Sequence, residues 1–479
     1  MNTKPDFLFV TCANGSEELL AAECIRIVGA NQGVVAGRGG VMLDESVENA
    51  MRLNLHSRIA QRVLWPMVDG DYRDEHDLYD LGRRINWSEW ITPDETIRVD
   101  VTAQRSPLQS LNFAALRIKD AVCDVMRDMA GARPSVDTRF PDLAISLHVD
   151  PTHAWIAIDL SGDALFKRGW RELQGEAPLK ETLASTLVYA SGWQGIESDG
   201  GLLDPCCGAG TIAIEAAQIA CNIAPGMTRR FAFERLQPFR EYATRWGELQ
   251  VEARDAVIKP AVPIWAGDVS FRMTDFATRN AERAGVAHAI EFKTADALQR
   301  LAPADHGTIL MNPPYGERID AMGRGSQRGD AGRERAPRTF AAPRADHRAP
   351  GPGAYAVDPN RPRGPGADAY ARENPEAARR GPRDAPASSG GRESAIVGGD
   401  SANHAGEFFS QLATHWKHHY SGWTAWVLSP DMKLPTSMRL KESRRVPMWN
   451  GPIECRLFRF DMVSGSARDK PLTAAGNES

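Results

Sequence analysis

The sequence predicts an α/β protein, with an α+β N-terminal half and an open, doubly wound parallel sheet in the second half. Two observations lead to this fold class. From Leu179 onward, short apolar strands alternate with helical stretches, a pattern typical of a parallel sheet covered by helices on both faces. Before that point, strands and helices mix without strict alternation, which is typical of α+β units.

The N-terminal half divides into two predicted units, residues 1–50 and residues 51–165. The first contains predicted strands at 7–11 and 41–43 and predicted helices at 17–28 and 47–55. The second contains predicted strands at 60–68, 96–103, 143–149 and 154–160 and predicted helices at 78–84 and 113–129. Both units are therefore expected to be small α+β folds.

The predicted parallel sheet comprises residues 175–319 together with 404–465, and residues 466–479 form a tail. Its predicted helices are 181–191, 211–220 and 407–416, and its predicted strands are 201–204, 263–266, 290–293, 308–311 and 424–428. Asn450-Gly451 predicts a tight hairpin turn near the end.

Residues 320–403 interrupt this sheet with a segment rich in Gly, Pro, Ala and Arg. The segment holds 14 Arg, no Lys and 11 acidic residues, and its only Val, Ile or Leu residues are Val357, Ile396 and Val397. Such a segment cannot bury enough apolar surface to offset its chain entropy, so we predict a disordered insertion. A plain tether and an arginine arm that contacts RNA both remain open.

Composition favours a cytoplasmic protein without a membrane or metal partner. The seven cysteines are scattered, odd in number and without a Cys-x-x-Cys pair, which fits a reducing compartment better than a disulfide framework or a zinc site. No apolar window is long enough to cross a bilayer. The net charge is −5, and residues 1–175 hold 19 basic against 26 acidic residues, so composition alone does not indicate a nucleic-acid partner.

A glycine turn between a strand and a helix is the strongest local motif. It consists of Asp204, Pro205, Cys206, Cys207, Gly208, Ala209, Gly210 and Thr211. The glycines let the backbone pass close to a ligand, and the start of the helix offers free N–H groups. The third glycine of a dinucleotide motif is missing, and the acid before the turn suits a cationic or hydroxyl-bearing ligand better than a pyrophosphate. A purely structural turn is the alternative.

Two further acids follow predicted strands of the same sheet. Asp268 follows the strand at 263–266, and Asp296 follows the strand at 290–293. Because ligands of open α/β sheets lie at the carboxyl ends of the strands, the first acid could hold ribose hydroxyls and the second an adenine amino group. Each acid alone could equally be a helix N-cap or a solvated loop residue.

Asn312, Pro313, Pro314 and Tyr315 follow the strand at 308–311. A proline-stiffened turn would explain them structurally. Functionally, the Asn312 side chain and the Pro313 carbonyl could accept hydrogen bonds from one NH₂ group and expose its lone pair for attack on a methyl group. Tyr315 would stack against the nucleobase that carries this NH₂ group.

Together these motifs resemble class I methyltransferases that use S-adenosylmethionine (SAM) and modify exocyclic amino groups. Asp159-Leu160-Ser161-Gly162 and Arg168-Gly169-Trp170-Arg171 resemble the end of a THUMP domain. The combination is similar to bacterial 23S ribosomal RNA guanine-N2 methyltransferases. That resemblance implies a ferredoxin-like unit at 1–50, a THUMP RNA-binding domain at 51–165 and a Rossmann-like methyltransferase domain at 175–319 with 404–465.

The resemblance also implies the ligands and the residues that contact them. SAM would be held by the glycine turn, with Asp204, Pro205, Cys207, Gly208, Gly210, Thr211, Asp268, Asp296 and Asn312 as contacts. The catalytic residues would be Asn312, Pro313, Pro314 and Tyr315, and the partner would be 23S ribosomal RNA or an assembly intermediate of the large subunit. Three alternatives remain: a transfer-RNA guanine-N2 methyltransferase, a DNA adenine-N6 methyltransferase, and a catalytically silent RNA-binding assembly factor.

Overall fold

The computed structural model describes residues 5–173, 175, 178–313 and 399–463. Pro314, Tyr315, the insertion up to residue 398 and the tail at 466–479 lie outside the described residues. Within the described part, the elements form two separate β-sheets, one in each half of the chain.

The first sheet has eight strands and is formed by the N-terminal half. Its strands are β1 Phe7–Thr11, β2 Val35–Gly37, β3 Gly40–Asp44, β4 Arg62–Asp71, β5 Thr96–Ala103, β6 Ser135–Val136, β7 Leu143–Val149 and β8 His153–Asp159. Its helices are α1 Glu17–Val28, α2 Val47–His56, α3 Glu75–Arg83 and α4 Leu111–Ala130. The strand order is β2-β3-β1-β4-β8-β7-β5-β6.

Strand β4 joins the two predicted N-terminal units into this one sheet. It pairs antiparallel with β1, where Val63 faces Val10, and with β8, where Leu64 faces Asp159. The predicted boundary between residues 50 and 51 lies inside α2. The two units therefore share a continuous set of backbone hydrogen bonds and one hydrophobic core.

The second sheet has seven strands. They are β9 Gly201–Asp204, β10 Ile264–Asp268, β11 Ile290–Thr294, β12 Gly307–Met311, β13 Trp423–Ser429, β14 Arg444–Asn450 and β15 Ile453–Asp461. The helices are α5 Glu181–Ser191, α6 Thr211–Ala220, α7 Gln237–Arg240, α8 Ala243–Asp255, α9 Phe271–Arg283, α10 Gly399–His419 and α11 Leu434–Met438. Separate apolar clusters cover its two faces, as the predicted doubly wound fold requires.

The strand order β11-β10-β9-β12-β13-β15-β14 places the topological switch between β9 and β12. Strands β9 to β13 are parallel, and β15 and β14 add an antiparallel edge through the predicted hairpin at Asn450 and Gly451. In such sheets the crevice at the carboxyl ends of the two switch strands is the usual ligand site. Here those ends lead into Asp204 and Asn312.

Two features differ from the sequence prediction. Helix α10 begins at Gly399, so residues 399–403, predicted to be disordered, are helical. The helix buries Phe409, Leu412 and Trp416, and once a packed turn exists each further residue adds a hydrogen bond at little cost. The second feature is an aromatic segment between α6 and β10, which includes Phe231, Phe233, Phe239 and Trp246 and packs against the core of the first sheet.

Candidate functional site

The glycine turn lies between the end of β9 and the start of α6. Gly208 has a φ of +51° and Gly210 a φ of +86°, both in the left-handed region that favours glycine. A Cβ on Gly210 would lie 2.9 Å from Cβ of Ala277 in α9, whereas a Cβ on Gly208 would have no described neighbour within 4 Å. Gly210 therefore permits helix packing, and Gly208 leaves open space beside the turn.

Asp268, at the end of β10, fixes the shape of this turn. Its Oδ2 accepts from the Gly208 N–H at 3.0 Å, and its Oδ1 accepts from the Ser270 N–H at 2.9 Å. The Cys207 N–H donates to the Gly267 carbonyl at 2.7 Å, which ties the turn to β10 a second time. Burial raises the pKa of Asp268 above its ordinary value.

Asp204 is the buried last residue of β9. Its Oδ1 accepts from the Cys206 N–H at 3.3 Å. Burial raises the pKa of Asp204 to about 8; the charge of Asp268 adds to the effect, while Arg300 acts in the opposite direction. The carboxyl is thus largely protonated at neutral pH, and a nearby cation would favour its ionised form.

Asp296 completes a group of three carboxylates around the turn. It follows β11, is half-buried, and accepts from the Leu298 N–H at 2.9 Å. The pKa of the Cys206 thiol is raised by burial and, further, by the charges of Asp204, Asp268 and Asp296. The three predicted acids are therefore close enough to act on one side chain.

Asn312 and Pro313 directly follow β12, the other switch strand. Ile309 of β12 pairs with Leu203 of β9, so both strands reach the same edge of the sheet at the same level. Asn312 is half-buried and Pro313 is buried. The described residues of the predicted catalytic motif thus lie at the same sheet edge as the glycine turn.

Two side chains that the sequence did not single out for this site hold the start of α6. The Arg171 guanidinium donates to Thr211 Oγ1 at 2.8 Å and pairs with Glu181 at 2.8 Å. The fully buried Asn280 donates from Nδ2 to the Ala209 carbonyl at 3.0 Å. Both contacts cross long stretches of sequence, and no local pattern signals them.

Arginines from outside the second sheet contact α6 along its whole length. Arg171 contacts its first residue, Arg168 pairs with Glu215 at 3.3 Å in its middle, and the Arg58 Nη2 donates to the Gln218 carbonyl at 3.1 Å near its end. Arg168 and Glu215 are both almost fully buried. We call Arg58, Arg168 and Arg171 the α6 arginines; they fix the helix that starts at the glycine turn.

Membrane-spanning helices and clusters of metal ligands are both absent from the described part of the chain. No described helix is long and apolar enough to cross a bilayer. Among the described residues, no group of three or more His, Cys, Asp or Glu side chains has the arrangement of a metal site.

Three family models match successive parts of the chain. The model of the RlmL ferredoxin-like domain matches residues 7–64, that of the THUMP domain matches 72–159, and that of the RMKL-like methyltransferase domain matches 168–328. The domain types and their order agree with those that the sequence resemblance implies. The exact domain boundaries stay predictions.

A curated relative extends over nearly the whole chain. The ribosomal RNA large subunit methyltransferase K/L of Shewanella amazonensis (strain ATCC BAA-1098 / SB2B) is 29% identical over 474 residues, which are 98% of this chain and 55% of that protein. The chain therefore spans about half the length of this relative.

Solved structures confirm the fold. A possible methylase from Clostridium difficile 630 has a TM-score of 0.70 at 22% identity and covers 96% of this chain and 99% of its own. SMU.472, solved in complex with SAH, has a TM-score of 0.70 at 20% identity and covers 97% of this chain and 100% of its own. The predicted α/β fold class is confirmed, and the chain carries an RlmL ferredoxin-like domain, a THUMP domain and an RMKL-like methyltransferase domain, in that order.

Proposed function

We propose that this protein transfers a methyl group from SAM to the exocyclic N2 amino group of a guanine in 23S ribosomal RNA. One observation supports this most strongly: the glycine turn after β9 and Asn312 after β12 lie at the carboxyl ends of the two switch strands. A SAM-binding turn and an amine-holding asparagine at adjacent strand ends would bring donor and acceptor together.

The residues around the turn fit SAM. Gly208 leaves open space where a Cβ would otherwise project, and the buried carboxyl of Asp204 would gain from a cationic neighbour. Both observations suit the positively charged amino-acid part of SAM better than a pyrophosphate. We assign SAM binding to Asp204, Pro205, Cys207, Gly208, Gly210, Thr211, Asp268, Asp296 and Asn312.

SAM, when bound, supplies the methyl group as an electrophilic carbon. The chain's own residues would hold the acceptor. The Asn312 side-chain oxygen and the Pro313 carbonyl would accept hydrogen bonds from the two N–H groups of the guanine amino group. This would turn the lone pair of the amino nitrogen toward the methyl carbon. Pro314 and Tyr315 would complete this motif, the tyrosine by stacking on the base. Most of the rate would come from this positioning, since the nitrogen loses its proton after attack and no strong base is needed.

Ribosomal RNA is the proposed partner because the relative that matches 98% of this chain bears the name of a large-subunit RNA methyltransferase. The THUMP domain supports RNA over DNA as the polymer. An intermediate of large-subunit assembly would offer the guanine before the surrounding RNA is buried. We further propose a cytoplasmic location, which is in keeping with the free state of all seven cysteines.

The proposal is tested by methyl transfer from labelled SAM to total RNA of a strain that lacks the protein. Digestion to nucleosides should yield labelled N2-methylguanosine, and fractionation should place it in the large-subunit RNA. An Asn312→Ala protein serves as the control for contaminating activity. Label in transfer RNA or in N6-methyladenosine would redirect the substrate assignment, and no label with any RNA would support the silent assembly factor.

A further inference from the structure

A cavity of about 310 Å³ lies at the seam between the two sheets, away from the glycine turn. We call it the seam cavity. Its walls come from α1 and α2 of the first sheet, and from α5, the loop after α6 and the end of α8 of the second. The residues used below are Glu23, Arg26, Arg52, His56, Arg58 and Tyr189, all of which line it. Its volume is about ten times that of one water molecule, so it can hold a small hydrated ligand.

Arg58 is the deepest cationic residue of the seam cavity, with only 6% of its surface exposed. Its Nη2 donates to the Gln218 and Ile223 carbonyls, whereas its Nη1 has no hydrogen-bond partner among the described residues. None of the described carboxylates forms an ion pair with it. A buried guanidinium without a carboxylate is costly, and a bound anion would offset that cost.

Two further arginines line the same cavity. The Arg26 guanidinium carbon lies 4.5 Å from the ring centroid of Tyr189, and Arg26 has no ion pair with any described carboxylate. Arg52 pairs with Glu48 at 2.7 Å, and Glu48 also binds Arg245, which in turn pairs with Glu248 and Glu252. Arg26 and Arg58 are therefore the lining arginines that have no ion pair among the described residues.

Glu23 is the one carboxylate among the lining residues, and its oxygens are already engaged. They accept from Ser57 Oγ at 2.6 Å, from the Arg58 N–H at 2.9 Å and from the Ile59 N–H at 3.2 Å. Glu23 thus accepts hydrogen bonds from the segment that follows α2. The lining as a whole carries three guanidinium groups and this single carboxylate. Guanidinium groups have the planar donor arrangement that matches phosphate oxygens.

We propose that the seam cavity is a binding site for a phosphate group, held by Arg26, Arg52 and Arg58. The phosphate can come from an RNA backbone or from a free phosphate ion, and the chemistry of recognition is the same. The site is distinct from the methyl-transfer site and does not depend on the function proposed above. Because its walls come from both sheets, an occupied site would hold the two halves of the chain together.

The first test is thermal unfolding in inorganic phosphate against sodium chloride at equal ionic strength. Phosphate should raise the Tm of the wild-type protein with a saturable dependence on concentration, as expected for a ligand of the folded state. Arg26→Gln should reduce this increment, and Arg26→Gln/Arg52→Gln should abolish it. Arg254→Gln removes an exposed arginine of α8 outside the cavity and should keep the full increment. An equal increment in all four proteins would overturn the proposal.

The second test separates the two sources of phosphate. Binding of a fluorescently labelled single-stranded RNA is measured over a range of salt concentrations for the wild-type and the Arg26→Gln/Arg52→Gln proteins. A loss of about 1 in the slope of log K against log[salt] would identify an RNA backbone phosphate. An unchanged slope together with a lost Tm increment would identify a free phosphate ion.

His56 provides a direct spectroscopic readout. Its pKa is lowered to about 4 by burial and by the charges of Arg52 and Arg58, while Glu252 acts in the opposite direction. A phosphate beside these arginines should raise the pKa of His56, observable by NMR of histidine-labelled protein with His56→Gln for assignment. No change of this pKa at a phosphate concentration that saturates the Tm increment would place the phosphate elsewhere and overturn the proposal.

Discussion

The residues at this edge of the sheet have distinct local tasks, and these tasks determine what each replacement should do. Asp268 shapes the glycine turn through two N–H groups, Asp204 provides a buried carboxyl, and Asn312 directly follows β12. Substitutions at these positions should therefore separate binding of the methyl donor from transfer of the methyl group.

Asn312→Ala should lower kcat for methyl transfer by roughly 100-fold or more, because the acceptor nitrogen loses its orientation. SAM affinity should change far less than kcat, since Asn312 is only one of the nine residues assigned to SAM and the turn and its carboxylates remain. Single-turnover kinetics and calorimetric titration with SAM measure the two quantities separately. Activity near the wild-type value would remove Asn312 from the proposed mechanism.

SAM affinity should increase as the pH rises from about 6 toward the Asp204 pKa of about 8. In this range the carboxyl of the empty site is largely protonated, and a bound cation favours its ionised form, so binding releases a proton. The apparent Kd should fall by up to about tenfold per pH unit. Calorimetry in buffers of different ionisation enthalpy measures the number of protons released per SAM bound. Asp204→Asn should abolish this release. A proton count of zero in the wild-type protein would contradict this assignment.

The positions of these residues at strand ends could be predicted from the sequence because their signals are local, whereas their roles stay predictions. A strand, an acid, a glycine turn and a helix follow one another within a few residues, and Asn312 directly follows its strand. Asn280 and Arg171 were not predicted as part of the site, because their contacts with Ala209 and Thr211 bridge distant parts of the chain.

At the scale of elements, the two glycines of the turn have different roles: Gly210 permits close packing of α6 against α9, and Gly208 borders open space that a ligand can fill. Gly210→Ala should lower the free energy of unfolding by roughly 2 to 5 kcal/mol, because a left-handed alanine is strained and its Cβ would contact Ala277 of α9.

Gly208→Ala is the matched variant, with a positive φ but no described neighbour for its Cβ. It should cost only about 1 to 2 kcal/mol of stability. Its larger effect should be on SAM affinity, since the methyl group projects into the open space of the turn. Urea unfolding and SAM titration of both proteins check the contrast, and equal stability losses would refute it.

Most element positions follow from hydrophobic periodicity, and the exceptions have physical causes. Strand β2 has three residues, too few to show a period. The aromatic segment between α6 and β10 packs on the first sheet, although its sequence position lies within the second domain. Apolar pattern predicts that such residues are buried, and it does not predict which core they join.

At the scale of the whole molecule, the buried Arg168–Glu215 pair links the segment after the THUMP domain to α6. Arg168→Met should lower the free energy of unfolding by about 3 to 5 kcal/mol, since it leaves the Glu215 carboxylate buried without its cation. Arg168→Met/Glu215→Leu should recover much of that loss. Urea unfolding of the single and double variants completes the cycle; additive losses would show that the two side chains are not coupled.

Domain types and order could be predicted from sequence, because each domain carries its own motifs. The single eight-stranded sheet could not, since β4 pairs with both β1 and β8 across separations that no local pattern encodes. The same holds for the seam cavity, whose arginines belong to separate helices and loops.

The α6 arginines have a consequence for how this protein can evolve. A methyltransferase core could in principle acquire a new substrate by exchanging its RNA-binding half for another. Here α6, the helix that begins at the glycine turn, is also held by Arg58, whose guanidinium donates to the Gln218 carbonyl near its end. Arg58 lies in the part that the ferredoxin-like model matches, whereas Arg168 and Arg171 lie in the part that the methyltransferase model matches and would stay with the core. A substitute half should therefore keep an arginine at the position of Arg58, because otherwise α6 loses a contact near its C-terminal end.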